Sequence, residues 1–192
     1  MTDMVVSGEY SELLDLKQKL ENAIKIAREN KWWDLYTIYE QYGYKKDEIL
    51  NDGNLGYIRG TIIDVMWNDD DKDALYITYE SAWGPMIEGF DYILRKHYKT
   101  LTQVSLSEEM GMEIYINTDV EGTYFSQKWC IDIVDNDIVY CDSDDEAVKV
   151  LNNLGEKTGM KFETIKQWER NLEMLNNHID EFDVYLHEFG PY

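Results

Sequence analysis

Leu13, Leu16, Leu20, Ala23 and Ala27 recur at spacings of three and four with charged residues between them, which predicts a helix over residues 9–29 with one apolar face. A second short helix is predicted over residues 32–41 and ends at Gly43, a residue that tolerates the left-handed conformation of many helix ends. Residues 51–56, Asn-Asp-Gly-Asn-Leu-Gly, consist almost wholly of turn formers and read as a loop. They mark the expected boundary between an N-terminal helical segment, residues 1–56, and the remainder of the chain.

From residue 57 the period shortens. Residues 57–67 and 74–79 are rich in β-branched and aromatic side chains and predict a hairpin, joined by residues 68–73 with Asp69, Asp70, Asp71 and Asp73. Pro85 is expected in the first turn of a helix reaching about His97 and burying Met86, Phe90, Ile93 and Leu94. Strands are predicted over 101–106 and 113–116, and a further hairpin pairs 129–134 with 138–140 around Asp135-Asn136-Asp137. Ser143 with Glu146 forms a capping-box signature that starts a helix over 144–154. Last, Ile165, Trp168, Leu172, Leu175, Ile179, Phe182 and Leu186 alternate spacings of three and four and predict one long helix. Its stripe requires cover, either from the protein's own sheet or N-terminal helix or from a second copy. The expected architecture is α+β: an antiparallel sheet in residues 57–154, helices ahead of it, and a C-terminal amphipathic helix over 155–192 packed on it.

Charge changes this picture more than composition does. The chain has 39 acidic and 18 basic residues, a formal −21, yet it is 44% hydrophobic and carries 15 Tyr, 6 Trp and 5 Phe. Disordered acidic chains lack such apolar content, so the charge is displayed on a folded surface. Residues 1–100 hold 19 acids and 12 bases, whereas 101–192 hold 20 and 6, which makes the C-terminal half the anionic face. Such a surface repels nucleic acid and anionic lipid and attracts basic proteins. The densest basic stretch, Lys45-Lys46, is followed at once by Asp47 and Glu48, which argues against direct nucleic-acid binding. The N-terminus lacks a basic segment followed by a long apolar one, and no apolar run reaches the roughly 18 residues of a membrane span, so a cytoplasmic protein is expected.

Candidate chemistry is sparse. Cys130 and Cys141 have no paired spacing and are expected to be reduced and partly buried. His97, His178 and His187 fall on predicted helices without a metal or nucleophile motif around them, and no glycine-rich phosphate loop occurs. Asp69, Asp71, Asp73 and Glu80 sit at the carboxylate positions of a calcium loop. Ala74, however, stands where the turn needs Gly, and the residues after it read as a strand. No enzyme activity, metal or cofactor is expected.

Tyr79-Glu80-Ser81-Ala82-Trp83-Gly84-Pro85, after an acidic hairpin and before an apolar helix, resembles the strand-to-helix turn of the YubB ferredoxin-like family of phage- and plasmid-borne proteins. Gly84 stands where that family has Ser or Cys. Glu109-Met110-Gly111-Met112 and Asn117-Thr118-Asp119-Val120-Glu121-Gly122-Thr123-Tyr124-Phe125 are similar to later segments of the family, so the resemblance covers residues 57 to about 154. It implies a ferredoxin-like core, with Trp83, Gly84 and Pro85 as a structural turn, and no known activity.

A mobile-element setting together with a polyanionic surface points, by analogy, to an inhibitor of the anti-CRISPR or anti-restriction type that mimics DNA or RNA in a bacterial host's cytoplasm. Its partner would be a basic, nucleic-acid-binding defence protein such as a CRISPR effector. The expected binding face comprises Asp69, Asp70, Asp71 and Asp73 of the hairpin loop with Asp142, Asp144 and Asp145 of the capping segment; the C-terminal helix is expected to pack within the protein, a homo-oligomer through it being the alternative. The alternatives are a small-ligand binder or enzyme that uses the sheet face, or an assembly protein of a mobile element.

Overall fold

The structure, a computed structural model, describes residues 1–30, 34–45, 47–48, 60–68, 72–82, 84–134, 137–178 and 183–191. It divides into two compact units, Met1–Ile114 and Tyr115–Tyr192. No helix among the described residues is long and apolar enough to cross a membrane.

The first unit runs β1 (Thr2–Ser7), α1 (Tyr10–Asn30), α2 (Asp34–Gln41), β2 (Gly60–Trp67), β3 (Ala74–Ser81), α3 (Ile87–His97) and β4 (Thr102–Glu109). Its antiparallel sheet has the order β2-β3-β1-β4, and β5 (Ile114–Asn117) follows, starting at the last residue of the unit. This is the βαββαβ order of a ferredoxin-like core, as expected, but it occupies residues 2–109 instead of 57–154. Residues 1–56 are therefore no separate helical segment. Their first strand pairs with both β3 and β4: Met4 lies opposite Ile77 and Ser105, and Val5 opposite Tyr76 and Val104. Met4, Val5 and Val6 are all buried, and a strand buried on both faces shows no polar alternation along its sequence.

A sharp turn joins β1 to α1. Gly8 has φ +151°, and a Cβ there would meet the Thr100 carbonyl oxygen and Leu101 Cδ2, each at 2.8 Å. The same junction is tied by Glu12, whose carboxylate accepts from Lys99 N (3.0 Å), Thr100 N (2.9 Å) and Thr100 Oγ1 (2.8 Å). The apolar stripe of α1 then faces the sheet: Leu13, Leu16, Leu20 and Ala23 share a core with Met4, Val6, Ile62, Leu75, Ile77 and Tyr79, and with Phe90, Ile93 and Leu94 of α3. Each large side chain so buried contributes about 1.5–3 kcal/mol. One turn beyond Glu12 along α1, Tyr98 Oη donates to Asp15 Oδ2 (2.8 Å) and lies 2.6 Å from Tyr42 Oη, linking α1, the turn after α2 and the end of α3. Burial and the neighbouring Tyr42 and Asp15 raise the Tyr98 pKa, which keeps its hydroxyl a donor.

The predicted hairpin is present as β2 and β3, with a register shift between Ile62 and Asp64. Pro85 lies before the helix and outside its first turn. Met86 is the N-cap, so the proline, which has no N–H, ends the connecting turn.

The second unit is built on a three-stranded antiparallel sheet of order β7-β6-β8, with β6 (Trp129–Ile133), β7 (Ile138–Cys141) and β8 (Val184–Glu188). α4 (Asp144–Leu154) and α5 (Ile165–Asn176) pack on it around Trp129, Ile131, Cys141, Leu151, Trp168, Leu175 and Val184. The long C-terminal helix expected over 165–186 is corrected: it ends at Asn176, whose side chain donates to Val184 O and accepts from Val184 N, each at 3.0 Å. Five residue pairs then join β8 to β6, with Leu186 opposite Ile131, so His187 is a strand residue. Ile179 and Phe182 lie outside the described residues. Ile165, Trp168 and Leu175 are covered within the unit itself. Asn152 fixes the helix pair: its Oδ1 accepts from Trp168 Nε1 (3.1 Å) and Phe162 N (2.9 Å), while its Nδ2 donates to Phe162 O (3.0 Å).

Candidate functional site

Two features of the second unit can do chemistry at the surface: the acidic start of α4 and a cleft beside it. At α4, Ser143 Oγ accepts from Glu146 N at 3.3 Å, as expected of a cap. The return bond goes one residue further upstream than expected, Glu146 Oε2 accepting from Asp142 N at 3.0 Å. Asp142, Asp144, Asp145 and Glu146 are all exposed. Their position at a helix N-terminus is favourable because the first-turn amides present partial positive charge. Asp144 is engaged further, accepting from Lys128 Nζ (2.7 Å) and Trp129 Nε1 (2.8 Å), and these bonds hold its carboxyl below the usual range. The same contact raises the Lys128 pKa.

The cleft, about 490 Å³, lies within this unit, between the segment 117–128, the Asp142 end of α4 and residues 189–191. Asp119 organises its loop. Its Oδ2 accepts from Tyr124 N (2.6 Å) and Phe125 N (3.0 Å), and Asn117 spans the loop from the other side, its Nδ2 donating to Phe125 O (2.9 Å) and Gln127 O (3.0 Å). Burial alone would raise the Asp119 pKa. The amides of Tyr124, Phe125, Thr123 and Gly122 outweigh it, and the net shift is downward. The walls combine the rings of Phe125 and Phe189 with the polar groups of Glu121, Gln127, Lys128 and Asp142. Gln127 Oε1 is buried and, among the described residues, has no hydrogen-bond partner.

Of the residues expected to form the binding face, Asp142, Asp144 and Asp145 are brought together at the start of α4. Asp73 is exposed in the first unit and accepts from Asn68 Nδ2 at 2.5 Å. Asp69, Asp70 and Asp71 lie outside the described residues. Trp83 does too, whereas Gly84 and Pro85 occupy the connection from β3 to α3, where the Gly84 carbonyl accepts from Ser81 Oγ at 2.7 Å. Sequence inspection missed Glu121, Phe125, Gln127, Lys128 and Phe189 as neighbours of Asp142. The Asn117-Thr118-Asp119 turn and Gly122 were the available signals of a folded loop there.

Among the described residues, no group of three or more His, Cys, Asp or Glu side chains is placed to hold a metal ion. Cys130 and Cys141 are free and buried, and burial, with Glu146 and Asp142 nearby, pushes the Cys141 thiol up to about 11. Comparison of the chain with family models, with curated proteins and with solved structures finds no match.

Proposed function

We propose that this chain is a non-enzymatic acidic protein that binds a basic, nucleic-acid-binding partner and blocks it by charge and shape. One observation carries this: the second unit has 17 acidic residues against 6 basic ones on a folded scaffold, and it concentrates Asp142, Asp144, Asp145 and Glu146 on one exposed helix start. Lys128 engages only Asp144 of that group. Carboxylates clustered at a folded helix start can occupy a groove that otherwise tracks phosphates without ordering a flexible chain. The acidic β2–β3 connection, with exposed Asp73, adds a second anionic segment.

Within this proposal the protein acts in the cytoplasm of a bacterial host as an anti-CRISPR or anti-restriction inhibitor encoded by a phage or plasmid. The resemblance of residues 79–85 to YubB-type proteins of mobile elements is what suggests that setting. The test is capture of host proteins on immobilised wild type and on a variant with Asp142→Asn, Asp144→Asn, Asp145→Asn and Glu146→Gln, at low and high salt. Wild type should retain a nucleic-acid-binding protein that duplex DNA or RNA displaces, and the variant should lose it. Recovery of the same partner by both, independent of salt, returns the acidic surface to a solubilising role.

The cleft supports a second reading, that of a small-ligand binder. Two of its charged groups, Asp119 and Lys128, are however already engaged by the loop amides and by Asp144.

A further inference from the structure

We infer that the cleft of the second unit is an anchor pocket for one arginine side chain of the basic partner, an inference that rests on the function proposed above and names a contact within it. The cleft's volume of about 490 Å³ falls in the range of specific small-group sites. Its lining sorts by chemistry. Phe125 and Phe189, 8% and 7% exposed, contribute a small apolar wall against which an alkyl stem can lie.

The charged groups then determine the sign of the guest. Asp119 is spent on the amides of its own loop, and Lys128 turns its ammonium to Asp144. Glu121 and Asp142 remain, both exposed at the cleft, and among the described residues neither carboxylate is held by a hydrogen bond or an ion pair. Two carboxylates at one cleft suit a cation that donates in several directions within a plane. Arginine does this with five N–H groups in a rigid fork, whereas a lysine ammonium is a compact point charge that keeps its water. An anionic guest would meet both carboxylates with like charge, and a purely apolar one would leave them unanswered.

The probe is the blocked peptide acetyl-Gly-Arg-Gly-amide, titrated into the full chain and followed by amide chemical shifts, with the lysine peptide as its comparison. The arginine peptide should shift resonances of residues 117–128 and 189–191 and bind more tightly than the lysine peptide. The double variant Glu121→Gln and Asp142→Asn should weaken it about tenfold, a loss typical of charge-assisted hydrogen bonds. Glu169→Gln, which removes an exposed acid outside the cleft, should not. Both variants change exposed acids, and their spectra report folding directly. Shifts spread over the whole acidic surface, equal response to both peptides, or equal weakening by Glu169→Gln would each overturn the pocket. Should any of these occur while partner capture remains salt-sensitive, the pocket falls and the blocking function stands. Cleft binding of the arginine peptide without any captured nucleic-acid-binding protein gives the reverse.

Discussion

Asp119→Ala tests whether one buried carboxylate holds the wall of the cleft. Asp119 is 7% exposed, and its Oδ2 accepts from Tyr124 N at 2.6 Å and Phe125 N at 3.0 Å. Alanine leaves both donors without that acceptor. Each charge-assisted bond is worth about 1.5–3 kcal/mol, and partial relief by water at the half-buried Tyr124 places the expected loss at about 2–4 kcal/mol. For a chain of this size that corresponds to a melting temperature lower by roughly 6–12 °C. Thermal denaturation by circular dichroism measures it, with hydrogen exchange at the Phe125 amide reporting the site itself.

The pH dependence has a definite sign. The folded-state pKa of Asp119 is depressed, so its contribution is complete above the ordinary carboxylate value near about 4 and fades as pH falls through the lower folded value. The difference in stability between wild type and Asp119→Ala should therefore be constant from neutral pH down to about 5 and shrink below it. A variant that melts with wild type and keeps its protection at Phe125 would refute the role assigned to Asp119, because the loop would then be held by something other than these bonds.

Two further outcomes rest on packing. Gly8→Ala should cost about 2–3 kcal/mol in urea denaturation, since the new Cβ meets the Thr100 carbonyl and Leu101 at 2.8 Å and φ is +151°; stability equal to wild type would show that the β1–α1 turn can shift freely. With the Cys141 thiol pushed up to about 11, only roughly one molecule in a thousand carries the thiolate at pH 8, so Cys141 should resist a disulfide reagent for minutes in the native protein and react at once when unfolded. Stoichiometric labelling of Cys141 in the folded state would contradict its burial.

What sequence determined by itself was local. The stripe Leu13 to Ala27 lies on a buried helix face, residues 60–67 and 74–81 pair as a hairpin, and Ser143 caps α4, because each signal depends on neighbours within one or two turns. Net charge likewise needs no coordinates, and it already selected the class of partner to test. A second cap was also there to be read, Thr164 with Gln167, which form a full capping box at the start of α5.

Tertiary structure decided the rest. β1 is a strand because its partners lie at Ala74–Tyr79 and Thr102–Ser107, some hundred residues along the chain in the second case, and Met4-Val5-Val6 alone carries no period that distinguishes a strand from any short apolar run. The spacing that joined Ile165 to Leu186 was continuous in sequence and broken in space: the ladder to β6 and the Asn176 side chain at Val184 outweigh the weak preference for one more helical turn. The cleft was equally beyond reach, for its walls come from 117–128, 142 and 189–191, and only the folded second unit places Glu121, Gln127 and Phe189 beside Asp142. Side-chain periodicity reports which face of an element is buried; which faces meet is set by long-range pairing whose entropy cost no local pattern records.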